Sequence, residues 1–296
     1  MAAYNFKQEA KVYVVSGGNQ YRIDVSDVSF SQTFSETSYS VKTLHEQSNV
    51  FEGSVINKAN VANFEFRVPA LVESDYTILE TLLLGATSFD LFIKTEADTF
   101  KLETAVITNG SFVIERSRPV SIDIQGEASK LTRGATLTGT AQSRSSTSNY
   151  TLPTLDITVG STSISNVVSV GMELQNDISW TPYTTVNSAL SVTNASNSMY
   201  PSAFTVSKKI LSGSISQYLT DSNTTNTHTW DTDASITVKA GNGESGDSFR
   251  GFSFGPATCS FTNRINADRS LYLQSYDWRM TQNPADLATI LKYETD

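Results

Sequence analysis

The chain has 296 residues, a formal net charge of -9 and a sequence pI near 4.8. That acidic balance argues against a protein that grips nucleic acid through its phosphates, because such a protein presents a basic field. A single cysteine, Cys259, excludes an intrachain disulfide and a cysteine-based metal site, and its setting, Thr-Cys-Ser-Phe, reads as that of a small buried hydrophobe.

Apolar residues make up 39% of the chain, and the shortfall is filled by Ser, Thr and Asn rather than by charge. This composition suits exposed strand faces and long loops better than disorder. Met1 to Lys11 lacks the apolar core of a secretory signal, and the longest apolar run, Leu82 to Ala86, is far too short to span a bilayer. The expectation is a soluble protein made in a reducing cytoplasm, with no membrane partner.

In chain order, Lys11 to Val15, the turn Gly17-Gly18-Asn19 and Tyr21 to Val25 predict a β-hairpin. Asn63 to Val68 alternates as a half-buried strand. A helix is expected from about Asp75 to Leu84, with Ser74 as N-cap and Gly85 closing it. Thr99 to Ile114 reads as two strands turning at Asn109-Gly110. Val120 to Glu127 places Val120, Ile122 and Ile124 on one face and Ser121, Asp123, Gln125 and Glu127 on the other. The polar stretch Leu137 to Tyr150 reads as a linker. A second helix is expected from about Pro284 to Tyr293, capped by Asn283, with Leu287, Ile290 and Leu291 as its apolar stripe.

The two sides of the linker can be laid over one another. Phe30-Ser31-Gln32-Thr33-Phe34 matches Met172-Glu173-Leu174-Gln175, and each is followed by a polar loop and a strand, Val61 to Val68 or Ile210 to Leu219. Ile122-Asp123-Ile124-Gln125-Gly126-Glu127 is laid over Leu271-Tyr272-Leu273-Gln274-Ser275-Tyr276. The expected organisation is a first domain over residues 1–140, a linker over 141–150 and a second domain over 151–296. Both domains are mainly β. Two equivalent domains in one chain would let three chains form a pseudo-sixfold ring.

With Asn176-Asp177-Ile178-Ser179-Trp180, the strand Leu211 to Leu219 running into Thr220-Asp221, and Ala105 to Leu131, the chain resembles the major tail tube proteins of long-tailed, siphovirus-type bacteriophages in their duplicated form. The likeness spans about Phe6 to Leu287. It implies two tandem β-sandwich or curved-sheet domains, each with at most one flanking helix, whose strands join those of neighbouring subunits in a ring-shaped barrel. It implies a homotrimeric ring stacked into a tube. The partners would be the tape measure protein inside, terminator and tail-tip proteins at the ends, and viral DNA in passage. The place would be the virion tail. Some members carry an immunoglobulin-like domain at the C-terminus; none is expected here, because Thr295 and Asp296 follow the second helix directly. Ser222 to Ser235 is too rich in Thr, Asn and Asp to repeat the first helix.

On this resemblance the candidate channel-lining residues are Asp123, Gln125 and Glu127, with Tyr272, Gln274 and Tyr276, joined by Asn63, Glu65 and Arg67 and by Ser212, Ser214 and Ser216. A non-basic wall avoids the counterion release that would hold DNA in place. The loops Lys42 to Asn60 and Val186 to Lys209 are candidates for ring stacking, with Phe51, Val55, Met199 and Tyr200 as apolar anchors.

No catalytic, cofactor or metal site is expected. His45 and His228 lie in polar loop sequence without a nucleophile elbow. Asp231, Asp233 and Asp247 miss the calcium-loop spacing, and Gly241 to Gly246 lacks the Lys-Ser/Thr of a phosphate loop. The alternatives are a tail-tip or surface adhesin using Trp230, Trp278 and Tyr200 on a sugar and, more remotely, a polysaccharide hydrolase.

Overall fold

Side chains that alternate apolar and polar at every second position make most of this chain strand, because strand neighbours point to opposite faces. The computed structural model describes residues 7–41, 51–69, 72–115, 120–145, 154–181, 199–220, 234–241, 248–268, 270–281 and 291–295. A 3-10 turn, Lys7–Glu9, precedes β1 (Lys11–Ser16), β2 (Asn19–Ile23), β3 (Asp27–Ser31), β4 (Phe34–Val41), β5 (Phe51–Ala59) and β6 (Ala62–Pro69). Helix α1 (Glu73–Gly85) leads to β7 (Phe89–Lys94), β8 (Thr99–Glu115), β9 (Ser121–Ala128), β10 (Lys130–Arg133) and β11 (Thr140–Ala141). The second half holds β12 (Thr154–Val159), β13 (Thr162–Ser163), β14 (Val167–Trp180), β15 (Phe204–Tyr218), β16 (Ala234–Gly241), β17 (Ser248–Asp268), β18 (Leu271–Met280) and β19 (Leu291–Thr295). The protein is mainly β, as its sequence predicts.

The β1–β2 hairpin forms as expected. Gly17 (φ 57°) and Gly18 (φ 81°) both take the left-handed conformation that a two-residue hairpin turn of this hand requires. Helix α1 forms too, but its caps differ. Val72 precedes the first turn without a side-chain cap, and Ala86, not Gly85, takes the left-handed closing conformation (φ 48°). Its apolar residues Tyr76, Leu79, Leu82 and Leu83 are fully buried. Tertiary burial therefore outweighs the missing cap.

Three expectations are corrected. Asn109-Gly110 is not a turn; β8 runs through it without interruption. Both edges of β8 are occupied at that point, by β9 and β14, and a Cβ on Gly110 would lie 2.4 Å from Leu83 Cδ2. That glycine lets α1 approach the sheet rather than letting the chain reverse. The segment from Phe51, expected as loop, is strand β5, paired along β4 in a separate two-stranded arm. Leu291 to Tyr293, expected as the end of a helix, belongs to β19, which fills the edge of the first stretch of β17; residues 282–290 lie outside the described residues. Strand pairing overrides local helix preference there.

β8 bends where Thr104 adopts φ 53°, its amide donating to Asp90 Oδ1 at 3.2 Å. Before the bend β8 lies between β7 and β10; beyond it, between β9 and β14. It thus belongs to two layers, β11–β2–β1–β7–β8–β10 and β3–β6–β9–β8. The same order recurs in the second half as β13–β12–β16–β17–β19 and β14–β15–β18–β17, with β17 shared as β8 is. Residues 140–145 lie against the first half. β11 pairs with β2, and Arg144 bridges Asp24 Oδ2 at 2.8 Å and Asp75 Oδ2 at 2.9 Å. Burial pushes the Asp75 carboxyl up from its ordinary value despite that guanidinium.

The core lies between the layers and under α1. β6 alternates strictly, burying Ala62, Phe64, Phe66 and Val68. Phe64 pairs with Gly126, where an added Cβ would meet Phe64 Cζ at 2.1 Å and the Val106 carbonyl oxygen at 2.4 Å. At the corresponding pair of the second half the sizes are exchanged. Gly213 pairs with Trp278, and an added Cβ would meet Trp278 Cζ2 at 2.4 Å. One large ring and one glycine fill each site, from opposite strands. Because backbone as well as ring blocks the space, Gly126→Ala should destabilise the fold by about 1–3 kcal/mol. Urea denaturation followed by tryptophan fluorescence reads this as a lower midpoint.

Candidate channel-wall face and the seam that extends it

The outward positions of the layers β3–β6–β9–β8 and β14–β15–β18–β17 form one largely polar surface, with Val113 as an exposed apolar residue on it. On β9, Gln125 is exposed and Asp123 and Glu127 are half-buried. Asn63, Glu65 and Arg67 of β6 are exposed beside them. Arg67 grips Asp123 with both prongs, Nε to Oδ1 at 2.5 Å and Nη2 to Oδ2 at 2.9 Å, and the Asp123 hydrogen bond holds the guanidinium pKa above its ordinary value.

The surface does not stop at the end of the first half. β8 and β14 pair antiparallel from Ser169↔Glu115 to Gln175↔Asn109, so Ser111 and Glu115 share a face with Ser169 and Glu173. Asn109 Nδ2 donates to Glu173 Oε1 at 2.6 Å across this seam. Beyond it, Ser212, Ser214 and Ser216 of β15 continue the face and pair with Arg279, Asp277 and Ser275 of β18. Arg264 of β17 then meets Asp277 at 2.9 Å.

The second-half wall expectation is corrected in part. Tyr272 is exposed at 64%, but Gln274 and Tyr276 are each 1% exposed. Gln217 Nε2 donates to Gln274 Oε1 at 3.1 Å and to the Tyr276 hydroxyl at 3.3 Å, a polar knot inside the core. The polar face of β18 is Ser275, Asp277 and Arg279. The pairing sets Ile122 in correspondence with Gln274, three residues from the alignment on Leu271, which turned the strand over. The i, i+2 spacing of the aromatics Tyr276 and Trp278 is the sequence signal for this inward face, and both are buried.

The Bacteriophage Baseplate Tube Protein Family matches residues 2–85 and 72–245. The chain belongs to this family. It is a structural, tail-related component of a phage virion. The family is that of baseplate tube proteins, a broader statement than the siphovirus major tail tube of the sequence resemblance. Among solved structures the chain is similar to one in the anti-feeding prophage (AFP) baseplate, determined by cryo-electron microscopy and sixfold symmetrised. The identity is 12% and the TM-score 0.36, over 45% of this chain and 97% of that chain. No curated protein matches the sequence.

In this baseplate tube family member the seam is held by more than its ladder. Asn176 is buried and its Nδ2 donates to the Leu83 carbonyl at 2.9 Å and the Ile107 carbonyl at 3.0 Å. Lys209 Nζ donates to the Leu84 carbonyl, and burial lowers its pKa. The second half thus satisfies carbonyls that the last turn of α1 leaves open, and places a cation at its negative end. Trp180 Nε1 donates to Glu127 Oε2 at 2.6 Å, so that carboxylate also ties β14 to β9.

The stacking anchors fall into two groups. Phe51 and Val55 lie on β5, opposite Val41 and Thr37. Met199 and Tyr200 are half-buried, and the Tyr200 ring stands edge-on to Phe34 at 6.4 Å, with Lys130 Nζ 5.0 Å from its centroid. Tyr200 therefore fastens the second half to the first within one chain. Trp278, offered for a sugar site, is 2% exposed and lies in the core. His45, His228, Trp230, Asp231, Asp233 and Asp247 lie outside the described residues. Among the described residues no group of His, Cys, Asp and Glu could hold a metal ion.

Asn176→Ala strips the Leu83 and Ile107 carbonyls of a buried donor. It should cost about 1–3 kcal/mol, and hydrogen exchange of the β8–β14 amides should accelerate more than that of β1 and β7.

Proposed function

We propose that the protein is the subunit of a phage tail or baseplate tube, in which three chains close into a pseudo-sixfold ring, rings stack, and the continuous polar face lines a channel for DNA. The observation that carries this reading is the seam. Two halves with one pairing order are joined edge to edge, and one outward face passes across the join, polar but for Val113 opposite Gly171. We read the recurrence of pairing order, with the exchanged Phe64–Gly126 and Gly213–Trp278 sites, as a tandem duplication. The tape measure protein would occupy the bore during assembly, and terminator and tail-tip proteins the two ends.

The proposed wall is Asp123, Gln125 and Glu127 with Asn63, Glu65 and Arg67 in the first half, and Ser212, Ser214 and Ser216 with Ser275, Asp277 and Arg279 in the second. Arg67 of this wall is opposed by Asp123, and Arg264 beside it by Asp277, while Arg279 is exposed among the serines of β15. A phosphate backbone then finds few unneutralised cations, and DNA passes without being held. The β4–β5 arm, a two-stranded sheet of its own, is the element proposed to reach a neighbouring ring.

Negative-stain microscopy of the purified protein tests the reading. Stacked rings or tubes are expected; monomers alone under all assembly conditions would reject it and favour a surface adhesin. A second measurement tests the wall. Glu65→Lys combined with Gln125→Lys should still give tubes, but tubes that retain duplex DNA at low salt and release it as salt rises. Tubes with unchanged DNA retention would remove these positions from the bore.

A further inference from the structure

The joined layer β3–β6–β9–β8–β14–β15–β18–β17 has, among the described residues, two unpaired edges. At one end β3 pairs only with β6; at the other the stretch of β17 from Ser260 to Asp268 pairs only with β18. In the interior of the same layer the corresponding strands, β14 and β8, are paired with each other. The molecule thus contains one complete copy of a joint and the two separated halves of a second.

The correspondence can be fixed residue by residue. β8 and β17 change layers at Ala105 and Cys259, which pair with the first residues of β7 and β16. One extra residue follows in β8, where the register shifts between Ile107 and Asn109. Gly110 then corresponds to Asn263, since each stands opposite the central residue of the next strand, Ile124 or Tyr276. Followed across β6 and β15, the same ladder sets Val28 against Val170 and Phe30 against Met172.

Burial supports the idea that something is missing at the outer edge. Phe112, in the seam, and Val120, just before β9, are 0% and 1% exposed; their counterparts Ile265 and Tyr272 are 57% and 64% exposed. Ile265, Leu271 and Tyr272, each more than half in water, lie together on β17 and β18 as an apolar edge that a contact in an assembly would cover.

We infer that the edge of β17 pairs antiparallel with β3 of a second copy of this chain, in the register of the internal seam: Ile265 opposite Phe30, Asn266 opposite Ser29, Ala267 opposite Val28 and Arg264 opposite Ser31. The inference rests on the tube reading and names its interface. The partner is another copy because the only strand shown to fit this kind of edge, β14, has its counterpart in β3. The contact is heterologous, head to tail, so each copy keeps one edge of each kind until the ring closes. β3 carries a guard until then. The Val28 amide donates to its neighbour Asp27 Oδ1 at 2.9 Å, and Lys7 pairs with that carboxylate. An occupied amide and a charge pair on an edge discourage pairing with unrelated strands.

The test is a register-specific crosslink in the full chain. Ser29→Cys with Asn266→Cys puts two thiols on the polar face directly opposite each other, as Gly171 and Val113 are in the seam. Under mild oxidation the double variant should give covalent multimers ending at a closed ring, and either single variant none. Ser29→Cys with Ala267→Cys, one residue out of register and on the other face, should give at least tenfold less. A shifted pair that crosslinks as well as the first would overturn the register. Rings visible by microscopy with no Ser29–Asn266 crosslink would overturn the interface and leave the tube reading standing. Absence of both rings and crosslink would overturn both. Ile265→Asp, exposed in the single chain, should leave the folded monomer intact and abolish ring formation; rings that still form would count against the interface.

Discussion

A sheet edge is a row of amides and carbonyls that must be paired, capped or covered, and the pairing of β8 with β14 settles that demand at the middle of this molecule. The other inter-half contacts are arranged around it. α1 sits over the seam because Gly110 lets Leu83 descend onto β8, and because Asn176 and Lys209 take up the carbonyls at its end. Trp180 and Tyr200 reach back from the second half to Glu127, Phe34 and Lys130. Without the ladder these polar contacts would have no fixed geometry, and buried donors and carbonyls would be left unmatched.

The seam also gives chemical continuity to the polar face. Small hydroxyl and amide side chains dominate the second half of that face, while the first half is richer in carboxylates. Of the arginines Arg67, Arg264 and Arg279 on or beside it, Arg67 and Arg264 each stand against an aspartate. Such ion pairs at an exposed surface add little stability; their consequence is to remove free positive charge from a surface proposed to face DNA.

The interior shows how a repeated architecture tolerates divergent sequence. The Phe64–Gly126 and Gly213–Trp278 pairs fill one volume with the same two kinds of residue placed on opposite strands. Volume is conserved and identity is not, as a close-packed core allows. The Gln217–Gln274–Tyr276 knot occupies positions that Val68, Ile122 and Ile124 hold in the first half. Burying those amides is tolerable because they bond to one another.

Alternation alone determined much about this protein: its β class, the first hairpin with its paired glycines, the inward faces of β6 and β9, and the polar set Asp123, Gln125 and Glu127. These are properties of a strand and its own side chains, and period two makes them legible. Tertiary structure decided where strands end and which face of an ambiguous strand turns inward. Asn109-Gly110 looks like a turn until two neighbouring strands and Leu83 are seen to hold it straight. β18 offers leucines on one face and aromatics on the other, and only the fit of Trp278 over Gly213 selects the aromatic face. Leu291 to Tyr293 carries a helical pattern, yet an open edge on β17 draws it into a strand. Long-range pairing supplies in each case a free energy larger than the local preference it opposes, and no window of neighbouring residues contains that partner.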